Sequence, residues 1–213
     1  MQITKVGHCC LVIEVAGVRI MTDPGDMSTG QTDVRGLHAV LITHEHGDHL
    51  HVESLKEVLS NNPKARVITN KAVSAILQKE EIASEIVGNG QYTDVNGLTI
   101  EGNGTEHAKV YENQPDVENT GYFIGDKFFY PGDSFFNPGK DADILALPVG
   151  GPWMKIQEAL MYAKQMKPRV CFPVHDGMFN EPGLATAHRW PASVLPKLGI
   201  QFVSMKEGSS ETF

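Results

Sequence analysis

The chain has 213 residues, 41% of them hydrophobic and 21% charged, and a formal net charge of −8. That length and balance suit one globular domain spanning residues 1–213, while the acidic surface argues against nucleic acid or an anionic membrane as partner. No apolar run is long enough to span a bilayer, and Met1 to Val6 lack a signal-peptide pattern, so a cytoplasmic location is expected.

In chain order, Leu11–Val15 and Val18–Met21 flank Ala16-Gly17 and predict a hairpin with a two-residue turn. The three cysteines, Cys9, Cys10 and Cys171, have neither disulfide nor zinc-finger spacing and are read as reduced thiols packed in strands. Ala39–Ile42 is an apolar run of the kind buried on both faces of a sheet. Val52–Leu59 predicts a helix stopped by Asn61-Asn62-Pro63, Arg66–Thr69 a strand, and Asn70 the cap of a helix through Leu77. The second half repeats these themes. Tyr122–Ile124 and Phe128–Tyr130 flank a Gly125-Asp126 turn, and Asp143–Leu147 and Val170–Phe172 are further strands. Between those two strands, Ile156, Ala159, Leu160 and Ala163 fall on one helical face ahead of Pro168. Hairpins followed by strand–helix units in each half imply two sheets covered by helices, an α/β fold.

The chemistry concentrates in Thr43-His44-Glu45-His46-Gly47-Asp48-His49, directly after the buried Ala39–Ile42 strand. Imidazoles and carboxylates are the ligands zinc takes, and so many unpaired imidazoles behind an apolar strand need a compensating partner. His44 and His46, two apart, can face one ion. Asp48 and His49, expected at the start of the next helix, can face a second, with Gly47 allowing the tight turn between the pairs. In the second half, Phe128–Gly132 delivers Asp133 and Val170–Val174 delivers His175 at strand ends, where open α/β sheets place their sites.

The H-x-H-x-D-H pattern after a strand ending in Thr43 resembles the signature of the metallo-β-lactamase superfamily. The similarity extends from Gly7 to His175, through Asp23-Pro24, Glu106-His107, Asn119-Thr120-Gly121-Tyr122, Gly132-Asp133-Ser134 and Pro173-Val174-His175. Its order, together with Leu147–Pro152 and Lys167-Pro168, is most similar to the ascorbate-6-phosphate lactonase-like branch of small metal-dependent hydrolases. The resemblance implies a four-layer αββα sandwich, two mixed β-sheets flanked by helices. It also implies two Zn²⁺ per chain, one held by His44, His46 and His107 and the other by Asp48, His49 and His175, with Asp133 bridging. Mn²⁺ or Fe²⁺ fit the same donors, although the second histidine of His44-Glu45-His46, where the flavodiiron branch has a glutamate, suits zinc.

Other residues have a plain reading beside a functional one. His8 is either a site-facing support or a hydrogen-bonded core histidine, and Asp23 is expected to orient a ligand imidazole. His51 is read as a helix-surface or supporting residue and His38 as surface. Trp153 and Met154 either line a pocket or pack on a sheet. His188 and Arg189 lie in a Gly/Pro-bounded segment, where Arg189 is either exposed or an anion contact. Two bound cations lower the pKa of a shared water, and Asp48 is the catalytic candidate that orients the nucleophile or passes a proton to the leaving group. The expected activity is hydrolysis of a small ester or lactone, phosphorylated or not. Cleavage of a small phosphodiester, or a non-catalytic metal-binding role, are the alternatives. A small molecule is the expected partner, and a homo-oligomer is left open.

Overall fold

The computed structural model describes residues 1–213. The first half holds β1 (Gln2–Lys5), β2 (Leu11–Val15), β3 (Val18–Thr22), β4 (Ala39–Ile42), α1 (Val52–Asn61), β5 (Arg66–Thr69), α2 (Lys71–Lys79) and β6 (Glu85–Ile86). The second holds β7 (Tyr92–Val95), β8 (Leu98–Asn103), β9 (Gly121–Ile124), β10 (Phe128–Tyr130), β11 (Ile144–Pro148), α3 (Ile156–Met166), β12 (Val170–Val174), α4 (Glu181–Val194) and β13 (Gln201–Phe202). β14 (Ser210–Thr212) returns to pair with β1 and ties the end of the chain to its beginning.

The strands form two seven-stranded sheets, ordered β14-β1-β2-β3-β4-β5-β6 and β13-β12-β11-β10-β9-β8-β7. Each is mixed in the same way. Pairings from β14 to β3 and from β7 to β10 are antiparallel. Those from β3 to β6 and from β10 to β13 are parallel. The parallel strands therefore end along one rim of each sheet, which is where such folds gather functional side chains.

Strand alternation builds the layers. Ala39 and Leu41 of β4 pack with Ile144, Ala146, Phe172 and Tyr130 between the sheets, whereas Val40 and Ile42 pack on the other face with Leu55, Val58, Val73 and Leu77 of α1 and α2. In the second sheet Leu145, Leu147 and Cys171 turn outward onto Ala159, Ala163 and Ala187 of α3 and α4. The order is helix, sheet, sheet, helix: the four-layer αββα sandwich that the resemblance implies.

The predicted elements are present with shifted edges. The Ala16-Gly17 turn has φ of 51° and 79°, the double left-handed geometry of the favoured two-residue hairpin. The second hairpin differs: Ile124 pairs with Phe128, so its loop is the three residues 125–127 rather than Gly125-Asp126. Asp143 stays outside β11 and instead receives two bonds from the Arg169 guanidinium, at 3.0 and 3.1 Å. Cys9 and Cys10 precede β2 rather than lying in a strand, and only Cys171 does; all three thiols are free and buried.

Candidate metal centre

Four strand ends and the loops that follow them bring the donor side chains together between the sheets at that rim. His44 follows β4 and His175 follows β12; Asp133 lies three residues beyond β10 and His107 four beyond β8. Asp48 and His49 occupy a turn before α1 rather than its first turn, because His51 caps that helix by accepting from the Ser54 N–H. Gly47 does not supply left-handed backbone to this turn. Its missing Cβ leaves room for the Asp26 carboxylate, which a side chain would meet at 3.1 Å. Gly25 has the stricter role, since a Cβ there would lie 1.9 Å from the Asp48 carbonyl oxygen. The loop after β3 thus packs backbone to backbone against the histidine motif.

The donor atoms fall into two sets that share Asp133. In the first, His44 Nε2 lies 3.1 Å from His46 Nδ1, and His107 Nε2 lies 3.3 Å from Asp133 Oδ2. His44, His46 and His107 each present a nitrogen within 4.8 Å of the others. In the second, Asp48 Oδ2 is 3.7 Å from His49 Nε2 and 3.4 Å from His175 Nε2. Asp133 reaches the same two rings, with Oδ1 3.1 Å from His49 Nε2 and Oδ2 2.8 Å from His175 Nε2. Ligands of a tetrahedral ion bonded at about 2.0–2.1 Å stand roughly 3.3 Å apart, so these separations suit metal coordination.

Hydrogen bonds behind the rings set which nitrogen faces inward. The His44 Nδ1–H points to Thr43 Oγ1 at 3.0 Å, the His49 Nδ1–H to Asp23 Oδ2 at 2.7 Å, and the His107 Nδ1–H to the Ala108 carbonyl at 2.5 Å. Each bond leaves Nε2 with a lone pair toward the cleft. His49 Nε2, His107 Nε2, His175 Nε2 and Asp133 Oδ1 are all buried without a hydrogen-bond partner. Four such orphans facing one another cost several kcal/mol together, on the order of 1–3 each, unless a cation pairs them. The residues therefore fit a metal. With no metal bound, where His49 holds a proton, burial and that charge hold His44 well below the usual imidazole range, in the neutral form a metal needs. In that same metal-free state, burial opposes ionisation of Asp133, yet His49 and the close His107 and His175 rings, at 3.3 and 2.8 Å, hold it well below the carboxylate range.

Asp23 supports the centre from beneath. It is fully buried, and its backbone has φ of 36°, a left-handed conformation that an L-residue keeps only under constraint. Oδ1 accepts from the Thr43 N–H at 2.8 Å, while Oδ2 accepts from the Thr43 hydroxyl at 2.7 Å, Tyr130 at 2.6 Å and His49 at 2.7 Å. His175, with φ of 58°, is held in the same uncommon region. Strain of this kind collects where a side chain must be aimed.

His8 faces the site. Its Nδ1 accepts from the Gly177 N–H at 3.0 Å, which directs Nε2–H to Asp48 Oδ2 at 3.2 Å. Trp153 both packs and lines: it stacks edge-on against Phe135, and its indole N–H donates to Asp133 Oδ2 at 2.9 Å. His51 is exposed on the surface of α1, and half-buried His38 accepts from the Arg19 N–H at 3.0 Å. The Gly/Pro-bounded segment of His188 and Arg189 is the helix α4, with Arg189 exposed. His188 is buried and bonded through Nε2 to Asp176 at 2.8 Å; Asp176 in turn takes Lys5 Nζ at 2.6 Å. Sequence reasoning missed this buried Lys5–Asp176–His188 chain, Tyr130 and Cys9. Cys9 Sγ clusters with ring nitrogens of His8, His49 and His175, and only its adjacency to His8 hinted at that. The rim opens as a cleft of about 380 Å³ lined by His46, Asp48, His107, Asp133, Trp153 and His175 among others.

Comparison with known proteins agrees with this architecture. A family described as the β-lactamase superfamily domain matches residues 2–175. Protein Rv0786c of Mycobacterium tuberculosis is 36% identical over 183 residues, covering 84% of this chain and 85% of its own. The UPF0173 metal-dependent hydrolase MJ1163 of Methanocaldococcus jannaschii is 26% identical, covering 84% of this chain and 85% of its own. Among solved structures, Igni18, a metallo hydrolase from the archaeon Ignicoccus hospitalis, superposes with a TM-score of 0.77 at 23% identity, covering 100% of this chain and 97% of that one.

Proposed function

The chain belongs to the β-lactamase superfamily, and from that premise we propose that it is a metal-dependent hydrolase of a small ester or lactone. The observation that carries this reading is the set of four buried, unpartnered donor atoms, on His49, His107, His175 and Asp133, at one solvent-open cleft. His44, His46 and His107 would hold one ion and Asp48, His49 and His175 a second, with Asp133 common to both. Zinc suits the imidazole-rich set, and manganese or iron would be accepted by the same donors. When bound, such a pair of cations supplies water activated near neutral pH and a Lewis acid for the substrate oxygen.

The chain's own residues do the rest. Burial opposes ionisation of Asp48, but the His175 ring 3.4 Å away and the hydrogen bond from His8 hold it well below the usual carboxylate range. It is thus held ionised, which suits it to bind a cation and orient the attacking water. His8, held by Gly177, fixes which Asp48 oxygen points to the cleft. Trp153 takes one lone pair of Asp133 Oδ2 and screens the centre from bulk water. No lysine or arginine lines the cleft. A neutral carbonyl substrate is therefore favoured over a phosphorylated one, and over the phosphodiester alternative. The relative named a metal-dependent hydrolase supports the reading over a purely metal-binding role. The partner is then a small molecule.

The test is hydrolysis of 4-nitrophenyl acetate and δ-valerolactone by protein reconstituted with zinc or manganese. Turnover that EDTA abolishes and metal restores is the expected result. Activity indifferent to EDTA, or hydrolysis of bis(4-nitrophenyl) phosphate alone, would overturn the proposal.

A further inference from the structure

A second concavity, of about 810 Å³, lies beside the metal cleft along α4 and shares Pro152 and Met178 with it as common wall. Its remaining surface includes Met154, Phe179, Ala187 and Trp190, and no charged side chain lines it. The one hydroxyl there, on Thr186, is already bonded to the Pro182 carbonyl at 2.9 Å. Met178 and Trp190 leave 40% and 47% of their surfaces open to solvent, an apolar exposure that the fold itself does not use. The groove is also built into the centre's scaffold. A Cβ on Gly150 would lie 2.5 Å from the Phe179 ring and 2.7 Å from the His175 carbonyl. Only glycine lets the loop after β11 close on both the groove wall and the backbone of a site histidine.

We infer that this groove is a substrate subsite, holding an uncharged alkyl or aryl arm of the molecule whose carbonyl lies in the metal cleft. The inference rests on the ester or lactone reading above and narrows it to substrates with a sizeable apolar arm. The groove's volume falls within the range of small-molecule sites, roughly 300–1,000 Å³, and it adjoins the cleft where the chemistry is placed, across Pro152 and Met178. A phosphate or sugar arm would find no charged side chain and one hydroxyl on these walls, too little to replace its hydration.

The experiment measures kcat/KM of zinc-loaded protein on 4-nitrophenyl acetate, butyrate and octanoate. The value is expected to rise by up to about fourfold per methylene until the groove is filled. Thr186→Glu, on the exposed face of α4, should lower the octanoate-to-acetate ratio by about tenfold or more by placing a carboxylate against the arm. A second readout needs no turnover. In His44→Ala protein, 2-octanone should shift the tryptophan emission, and Trp190→Phe should remove that response. Binding of 2-octanone without any ester hydrolysis would refute the ester chemistry while supporting an apolar ligand in the groove. A flat chain-length profile with no 2-octanone response would overturn the inference. So would concentration-dependent dimerisation abolished by Thr186→Glu, which would assign the groove to a second copy of the chain.

Discussion

Asp23→Asn removes one charge and one acceptor from the most constrained point of the centre. Three donors converge on Oδ2, from Thr43, Tyr130 and His49, and one reaches Oδ1, from the Thr43 N–H. An asparagine oriented to keep its oxygen at the Oδ2 position serves the three but turns its NH₂ toward the Thr43 N–H. The three retained bonds lose their charge assistance, about 1 kcal/mol each, and the orphaned N–H costs about 1–3 kcal/mol more. The lower desolvation cost of a neutral amide offsets part of this, leaving a net destabilisation of about 3 kcal/mol. His49 keeps an acceptor but loses the carboxylate charge that raises the basicity of its ring, so metal affinity should fall about 10- to 100-fold. Tyr130→Phe is the control. It deletes one donor yet leaves His49 paired to a carboxylate, so stability should drop by about 1 kcal/mol with metal affinity nearly unchanged. Urea denaturation of metal-free protein and zinc competition against a chromophoric chelator measure the two quantities. An Asp23→Asn protein that binds zinc as tightly as the unaltered chain would refute this, showing that His49 does not depend on the Asp23 charge for its strength as a ligand.

His44→Ala should lower metal content and abolish activity, with circular dichroism unchanged because the apolar core is independent of the centre. His51→Ala removes only the exposed cap of α1, costing about 0.5 kcal/mol with metal content unaltered; loss of metal there would show the ligand set misdrawn. Gly25→Ala must displace the Asp48 backbone from its 1.9 Å clash, so metal content should fall and stability drop by about 2 kcal/mol. Burial pulls the His175 pKa down, but Cys9, Asp133 and Asp48 outweigh it and raise it to about 10. An unfolded imidazole titrates near about 6.5, so in metal-free protein this stabilisation is full below about pH 6.5 and lost as pH rises toward 10. The denaturation midpoint of EDTA-treated protein should fall between about pH 6.5 and 9, and that of zinc-loaded protein should not, because a metal takes the neutral ring. Equal pH profiles for the two would contradict this.

Much of the architecture was legible because strand and helix periodicities were strong. Ala39–Ile42 reads as a doubly buried strand from its unbroken apolar run, and its alternate residues do face the sheet partner and the helices. The edge strands were not legible: β6 and β13 have two residues each, too few for a period. Helix α4 was hidden by Pro182, Gly183 and Pro191; Pro182 lies in the first turn, where no helical acceptor awaits its missing N–H, whereas Pro191 lies inside the helix. At the centre, the histidine motif and the strand-end residues Asp133 and His175 stood out, since polar groups directly after apolar strands need a partner. His107, in a long irregular loop, came from the resemblance. Cys9, Tyr130 and the Lys5–Asp176–His188 chain are long-range meetings with no local signature. Lys5 and Asp176 are 171 residues apart in the chain and 2.6 Å apart in space.

The central claim is that Asp133 joins two donor sets around a pair of ions. It is tested most directly by metal analysis of the unaltered chain and of Asp133→Asn, each dialysed against excess zinc and then desalted. About two ions are expected per unaltered chain and about one in the variant, because losing the shared charge leaves the two cations less shielded from each other. An unaltered chain that retains no zinc, or a variant that keeps both ions, would contradict it.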